Sequence, residues 1–205
     1  MAPCHCIPAI QKTAAVNLPT KWGPFRALGF ESLVNAKPET ALALIMGDVS
    51  VGVPLVRIHS QCLTGDVLGS VRCDCGEQLN KAMTAISREG AGILIYEMQE
   101  GRGIGLMAKL QAYALQDHGL DTVEANEQLG YPVDCRNFAL PVEILKCLGI
   151  RRVRLLTNNP EKLTAVENGG IAIVSRVPCE TEADPHSRFY LATKKAKLGH
   201  LLGTL

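Results

Sequence analysis

An α/β fold, with a layered mixed sheet flanked by helices and a strand-rich N-terminal part, is what this sequence predicts. Three observations carry the prediction. In the second half, short apolar runs alternate with amphipathic stretches that end in helix-stop signals. In the first half, apolar runs bounded by turn residues dominate. The chain has 205 residues, 47% of them apolar and 20% charged, which suits one good-sized core. Residues 1–15 are expected to be a disordered extension and residues 16–205 a single domain.

The elements follow in order. "LPTKWGPFRALGF" reads as extended chain with a turn at Gly23-Pro24. "ALALIMGDV" and "VPLVRIH" are short apolar runs with Gly47 and Gly52 around them, so they read as strands. "EQLNKAMTAISREG" sets Leu79, Met83 and Ile86 on one face and stops at Gly90, a helix. "GILIY" is a buried-type strand, "EMQEGRGIG" a Gly-rich loop, and "LMAKLQAYALQDHG" a helix with Leu106, Leu110 and Tyr113 aligned. "RRVRLLT" is a strand, "NNPEKLTAVENGG" a capped helix and "IAIVS" a further strand. Residues 176–187 read as a surface loop, and "YLATKKAKLGHLL" as helical.

The bulk properties exclude several classes. A formal charge of +1 gives no broad nucleic-acid footprint. No apolar run is long enough to span a bilayer, and "MAPCHCIPAI" lacks the pattern of a secretory signal. A cytoplasmic protein is expected, with its eight cysteines reduced. Cys147 reads as a small buried apolar residue. "CHC", with Cys4 and Cys6, could bind metal, but an untethered end is the preferred reading.

Cys62, Cys73 and Cys75 are the informative cluster. Residues i and i+2 of an extended segment point the same way, so Cys73 and Cys75 could face one ion, with Cys62 returning across a loop. A disulfide between them would be strained, so metal is the better reading. Three thiolates suit a tetrahedral zinc that keeps one position open. Two alternatives stand beside it: buried thiols, or a closed site completed by Cys135, Cys179 or His59.

The flanking motifs "RIHSQCLTGDVLGSVRCDCGEQL", "QEGRGIGL", "AYALQDHGLDTVEAN", "YPVDCRNF" and "LLTNNPEK", with "LPTKWGPF" near the start, add an identification. Over about residues 17–203 the chain resembles GTP cyclohydrolase II, a zinc enzyme of riboflavin synthesis that opens the imidazole ring of GTP. The resemblance implies that Cys62, Cys73 and Cys75 hold Zn2+, whose open position activates water at neutral pH. Water then attacks carbon 8 of guanine, and a second hydrolysis releases formate.

The resemblance also implies the other site residues. Asp134 is the proton acceptor and Arg136 the group acting at the α-phosphorus. A guanidinium is a poor nucleophile, so charge stabilisation is the easier task for Arg136. Tyr113, core by pattern, points into the site and implies complete turnover with formate release. GTP contacts are implied for Arg57, Ile58, His59, Ser60 and Gln61, for Gln78, for Glu100, Gly101 and Arg102, and for Thr122, Thr157 and Lys162. Glu100 could read guanine's N–H edge, while Arg102 and Lys162 suit phosphates. Thr157 ends a strand before a helix, where α/β proteins bind ligands. Each of these has a plainer reading: a packed histidine at His59, a turn with an ion pair at Asp134 and Arg136, a solvated lysine at Lys162. Gln61 departs from the family, which usually has Glu there. If a carboxylate is required, activity suffers; if the backbone makes the contact, Gln changes little, and the shared shape favours the second.

The expected activity is monofunctional: GTP to a 5-aminopyrimidine ribosyl phosphate, formate and pyrophosphate, with Mg2+ accompanying the triphosphate. Many relatives carry a fused domain making dihydroxybutanone phosphate, for which 205 residues leave no room. A homodimer is implied by the family. The rivals are a zinc-holding GTP-binding module that has lost catalysis, and an enzyme that stops at the formamide or serves a specialised heterocycle pathway.

Overall fold

The computed structural model describes residues 10–34, 37–182 and 184–203. Cys4 and Cys6 lie outside the described residues. One seven-stranded sheet organises the chain, in the order β1-β2-β3-β5-β4-β6-β7. The strands are β1 (Gln11–Thr20), β2 (Gly23–Val34), β3 (Lys37–Met46), β4 (Leu55–Ser60), β5 (Gly92–Glu97), β6 (Arg152–Leu156) and β7 (Ala172–Val177). The N-terminal strands and β5 pair antiparallel. From β5 through β4 and β6 to β7 every pairing is parallel. The expected mixed sheet with a strand-rich first part is the one observed.

Two differences concern the start. β1 begins at Gln11, inside the stretch expected to be an extension, because residues 11–15 find hydrogen-bonding partners on β2. The first turn is Lys21-Trp22 rather than Gly23-Pro24: Thr20 pairs with Gly23 across a two-residue loop. The Thr20 hydroxyl donates to the Gly23 carbonyl at 2.8 Å and accepts from the Trp22 amide at 3.1 Å, which closes the loop one step early.

The two sheet faces are covered by different helices. Alternation along β5 sends Ile93 and Ile95 to one face and Leu94 to the other. α2 (Cys75–Glu89) covers the second face with Ala82, Met83 and Ile86. Its end at Gly90, whose amide bonds the Ile86 carbonyl at 3.0 Å, is where the stop signal put it. α5 (Ala139–Cys147) and α6 (Pro160–Asn168) cover the first face with Val142, Ile144, Leu145 and Val166. Cys147 is exposed, not buried, because it lies on the solvent side of α5.

α3 (Leu106–Asp117) also departs from expectation. Its buried residues are Ala108, Lys109 and Ala112, while Leu110 is 43% exposed. The helix packs against a polar site, so the apolar stripe is not its inner face. α4 (Thr122–Gln128) begins at a capping box in which Asp121 and Glu124 each bond the other's backbone amide. α1 (Leu63–Asp66) is a single turn, and α7 (Arg188–Leu198) ends at Gly199.

The chain leaves β4 through α2 to reach β5 on one side, and later enters β6 on the other side of β4. The order reverses at β4. A crevice at the C-terminal ends of parallel strands is expected at such a switch point, and the site lies there.

Candidate active site

Ser60, Glu97 and Thr157 stand at or just past the ends of β4, β5 and β6, and the chain beyond them forms a cavity of about 980 Å³ counted with its open mouth. That is within the size of small-molecule sites.

Cys62, Cys73 and Cys75 form one end. Their sulfurs all lie within 4.8 Å of one another, and Cys62 Sγ is 3.6 Å from Cys73 Sγ. The route to this arrangement is not the extended pair that spacing implied. Asp74 has φ −92° and ψ 10°, and Cys75 is the first residue of α2. Glycines make the approach possible: a Cβ on Gly65 would stand 3.0 Å from Cys73 Sγ and 3.3 Å from Cys62 Sγ, and one on Gly76 would lie 2.3 Å from the Gly65 carbonyl oxygen. Asp66 fixes the preceding turn. Its carboxylate accepts from the Cys62 amide at 3.0 Å and from the Tyr96 hydroxyl at 2.8 Å, and lies 3.1 Å from His59 Nε2. His59 is therefore committed away from the sulfurs. Cys135 is exposed and Cys179 is buried in the core against α2. Among the described residues, the cluster is the three cysteines alone.

Three sulfurs this close do not all ionise without a cation. Hydrogen bonds from Cys73, Cys75 and Lys109 hold Cys62 far below the usual thiol range. The Cys62 thiolate pushes Cys73 up to about 11 and, with Cys73, also raises Cys75 well above the usual thiol range. The set is soft, buried and one thiolate strong, with room for a small ion that would replace the two remaining protons. It fits a thiophilic divalent metal.

Lys109 braces this end. Its Nζ is 3.0 Å from Cys62 Sγ and 2.8 Å from Glu100 Oε1. Glu100 also accepts from the Gly101 amide at 2.9 Å and the Leu63 amide at 2.6 Å, so one acceptor position, on Oε2, is left for a ligand. Gly101 and Arg102 both take left-handed backbone (φ 60° and 57°) in the short 3-10 turn Glu100–Gly103. Arg102 is the one non-glycine residue with positive φ among the described residues. That strain accompanies function more often than chance. The Nη1 and Nη2 atoms of Arg102 are buried without a protein partner, and its guanidinium lies 5.7 Å from the Tyr190 ring.

The other end is cationic. The Ser60 hydroxyl donates to Glu97 Oε2 at 3.0 Å and accepts from Arg136 Nη1 and Lys162 Nζ, each at 3.3 Å, which uses its one proton and both lone pairs. Arg136 Nε reaches Asp134 Oδ1 at 2.9 Å, and this pairing holds the Asp134 carboxyl low against its burial. Lys162 Nζ also donates to the Ile58 carbonyl at 2.9 Å. Burial, then the Arg136 charge, hold Lys162 well below the ordinary lysine range. Lys162 is thus not a solvated surface lysine.

Most expected residues face the cavity: Arg57, His59, Ser60 and Gln61; Gln78, Glu100, Gly101 and Arg102; Tyr113, Thr122, Arg136, Thr157 and Lys162; and the three cysteines. Ile58 and Asp134 stand behind the wall, the first through its carbonyl, the second through Arg136. Sequence reasoning missed Lys109, Asn126 and the wall from the C-terminal segment, Tyr190, Lys194 and His200. Asn126 had a signal, since it follows Thr122 by one turn of a helix that opens with the capping-box pair Asp121 and Glu124. For Tyr190 and His200 there was none.

The family model for GTP cyclohydrolase II matches residues 11–178. The riboflavin biosynthesis protein RibBA of Bacillus cytotoxicus is 53% identical over 194 residues, 94% of this chain and 48% of that protein. RibBA of Bacillus cereus is 51% identical over the same shares. The chain spans about half the length of the curated relatives it matches. Among solved structures, RibBX, a two-domain 3,4-dihydroxy-2-butanone 4-phosphate synthase from A. baumannii, aligns at a TM-score of 0.48 and 18% identity, over 84% of this chain and 40% of that one.

Proposed function

This chain belongs to the GTP cyclohydrolase II family, and from that premise we propose that it hydrolyses GTP to 2,5-diamino-6-(ribosylamino)-4(3H)-pyrimidinone 5'-phosphate, formate and pyrophosphate. One observation carries the reading: a single cavity joins a three-thiol cluster to a guanidinium, that of Arg102, whose buried amino groups lack partners. The first suits a metal and the second an anion, and a metal-assisted reaction on a nucleoside triphosphate needs both.

Cys62, Cys73 and Cys75 are the residues that would hold zinc, which when bound activates water near neutral pH. Tyr113 reaches over them from α3, its hydroxyl 3.5 Å from Thr64 Oγ1. Burial pushes that phenol up to about 12, so it acts as a neutral hydrogen-bond donor that orients water and the opened ring. Arg136 remains a cation and stabilises charge on the phosphoryl oxygens; attack by its guanidinium would require a deprotonation that the Asp134 pair opposes. Asp134 holds Arg136 in place, and serves as proton acceptor once substrate draws that pair apart. Lys162 takes up its proton as phosphate arrives, and Arg102 supplies further donors. Thr157 and Gln78 contribute polar contacts along the cavity. Mg2+ enters with the triphosphate, held by its oxygens.

Gln61 gives the binding-module reading its one support. Its amide is taken by the Glu97 carbonyl at 2.9 Å, so the backbone fixes its place whichever side chain it carries. Incubating the zinc-loaded chain with GTP and Mg2+, and measuring formate and pyrophosphate together, separates the readings. Equal amounts of both support complete turnover. Pyrophosphate alone supports release without completed ring hydrolysis, and neither product with GTP bound supports the binding module. A cytoplasmic homodimer belongs to the same proposal. Val16, Leu18 and Leu42, exposed on one face of the antiparallel edge, support a partner there, and sedimentation at working concentration tests it. No helix among the described residues is long and apolar enough to cross a membrane.

A further inference from the structure

Asp74 lies between two of the three cysteines and is 3% exposed. It occupies the N-cap of α2, where an aspartate ordinarily accepts from the backbone amides of the first turn. Here the carboxylate makes no capping bond. It turns instead to Lys194 of α7, whose Nζ stands 2.6 Å from Oδ1, while Oδ2 accepts from the Gln78 side chain. Gln78 in turn accepts from Arg57 at 2.6 Å, and Arg57 donates to the Leu156 carbonyl at 3.0 Å. The loop carrying Cys73 and Cys75 is thus tied through Gln78 and Arg57 to the middle of β4 and the end of β6, and to a helix that lies outside the matched segment, residues 11–178.

Lys194 is 7% exposed, so both partners of this pair are out of water. Removing one partner of a buried ion pair leaves the other uncompensated, which drives the structure around it to rearrange. The structure around Asp74 is the cysteine loop. A helix cap abandoned in favour of a distant lysine points to a requirement on the loop rather than on the helix.

We propose that Lys194 is a positioning residue: by holding Asp74 it sets the Cys73–Cys75 loop where the three sulfurs meet, so the C-terminal helix completes the metal site without contributing a ligand. This rests on the zinc reading above.

The test is the zinc affinity of the full chain, measured by competition with a chromophoric chelator. Lys194→Met is expected to weaken zinc by about 10- to 100-fold, the range seen when groups supporting metal ligands are removed. Lys194→Arg is expected to recover most of the loss. Asp74→Asn with Lys194→Met should bind zinc as Asp74→Asn alone does, because the two changes remove one interaction. Saturating zinc should restore turnover to Lys194→Met, since a positioning residue acts through occupancy. Should Lys194→Met fail to fold, the double variant, which buries no charge at the pair, carries the comparison with Asp74→Asn.

A wild-type chain that binds no zinc overturns the zinc reading and this inference together. Zinc bound equally by wild type and Lys194→Met overturns this inference alone, as do losses that multiply in the double variant. Turnover that stays lost with zinc fully bound overturns it too, by making Lys194 a substrate contact.

Discussion

The two ends of the cavity handle charge in opposite ways. At the thiol end, charges are matched locally. The Lys109 ammonium faces both the Cys62 sulfur and Glu100, and Asp74 faces Lys194. At the other end, Arg136 is paired with Asp134, Arg136 and Lys162 reach Glu97 only through the Ser60 hydroxyl, and Arg102 keeps two buried amino groups unpartnered. One end is finished except for a cation; the other is short of an anion. Both rest on the same three strand ends. A three-thiol cluster can thus be prebuilt by its own hydrogen bonds, whereas buried cations short of carboxylates stand under electrostatic stress.

Substitutions at each end should therefore separate metal from nucleotide. The largest effect is expected at the thiol end. Cys73→Ser should lose zinc and lower formate release below about a thousandth of wild type, while GTP binding stays within a few-fold. Metal analysis beside a binding titration checks it, and full zinc with full activity would remove the ligand assignment. Arg136→Ala comes next: zinc stoichiometry unchanged, turnover down about 100- to 1,000-fold. Joint loss of zinc would erase the separation of the two ends.

Lys162→Met sharpens the comparison through stability. A buried lysine held below its ordinary range opposes folding at neutral pH, because the unfolded chain binds a proton that the folded chain resists. The variant should melt higher than wild type in the absence of GTP, yet bind GTP about 10- to 100-fold more weakly. A lower melting temperature would mean that the hydrogen bonds to Ile58 and Ser60 outweigh the burial.

The smallest effect concerns His200, which burial and then the Lys194, Arg136 and Arg102 charges push down to about 3. Unfolded, its pKa is near 6.5. Its folded pKa is depressed, so its contribution to stability is intact above about pH 6.5 and is lost as pH falls toward 3. The melting temperature of His200→Gln should fall less between pH 7 and pH 5 than that of wild type. Equal falls would remove His200 from the cationic end.

Legibility differed between the sheet and the site. "GILIY" and "EQLNKAMTAISREG" carried their strand and helix in local pattern, and both stand where they were expected. Leu106, Leu110 and Tyr113 misled, because a periodic stripe does not say whether the inner face meets a core or a polar cavity. The cysteines were found as a cluster for a reason the structure replaces: the sulfurs meet through a helix start and two glycines, not along an extended strand. Lys109 and Lys194 were invisible as site residues, since a lysine on a helix has the same local signature whether it faces water or a thiolate.

By itself the sequence determined the fold class, the family and the chemistry of the donors, because hydrophobic period, turn residues and dense motifs are local properties of the chain. Only the tertiary structure decided which face of α3 looks inward, that Asp74 gives up its helix cap for Lys194, that Ser60 is shared by Arg136, Lys162 and a carboxylate, and that the C-terminal helix walls the cavity. Those depend on groups up to 120 positions apart meeting in a medium of low polarity. There, each charge is placed by the partner that compensates it.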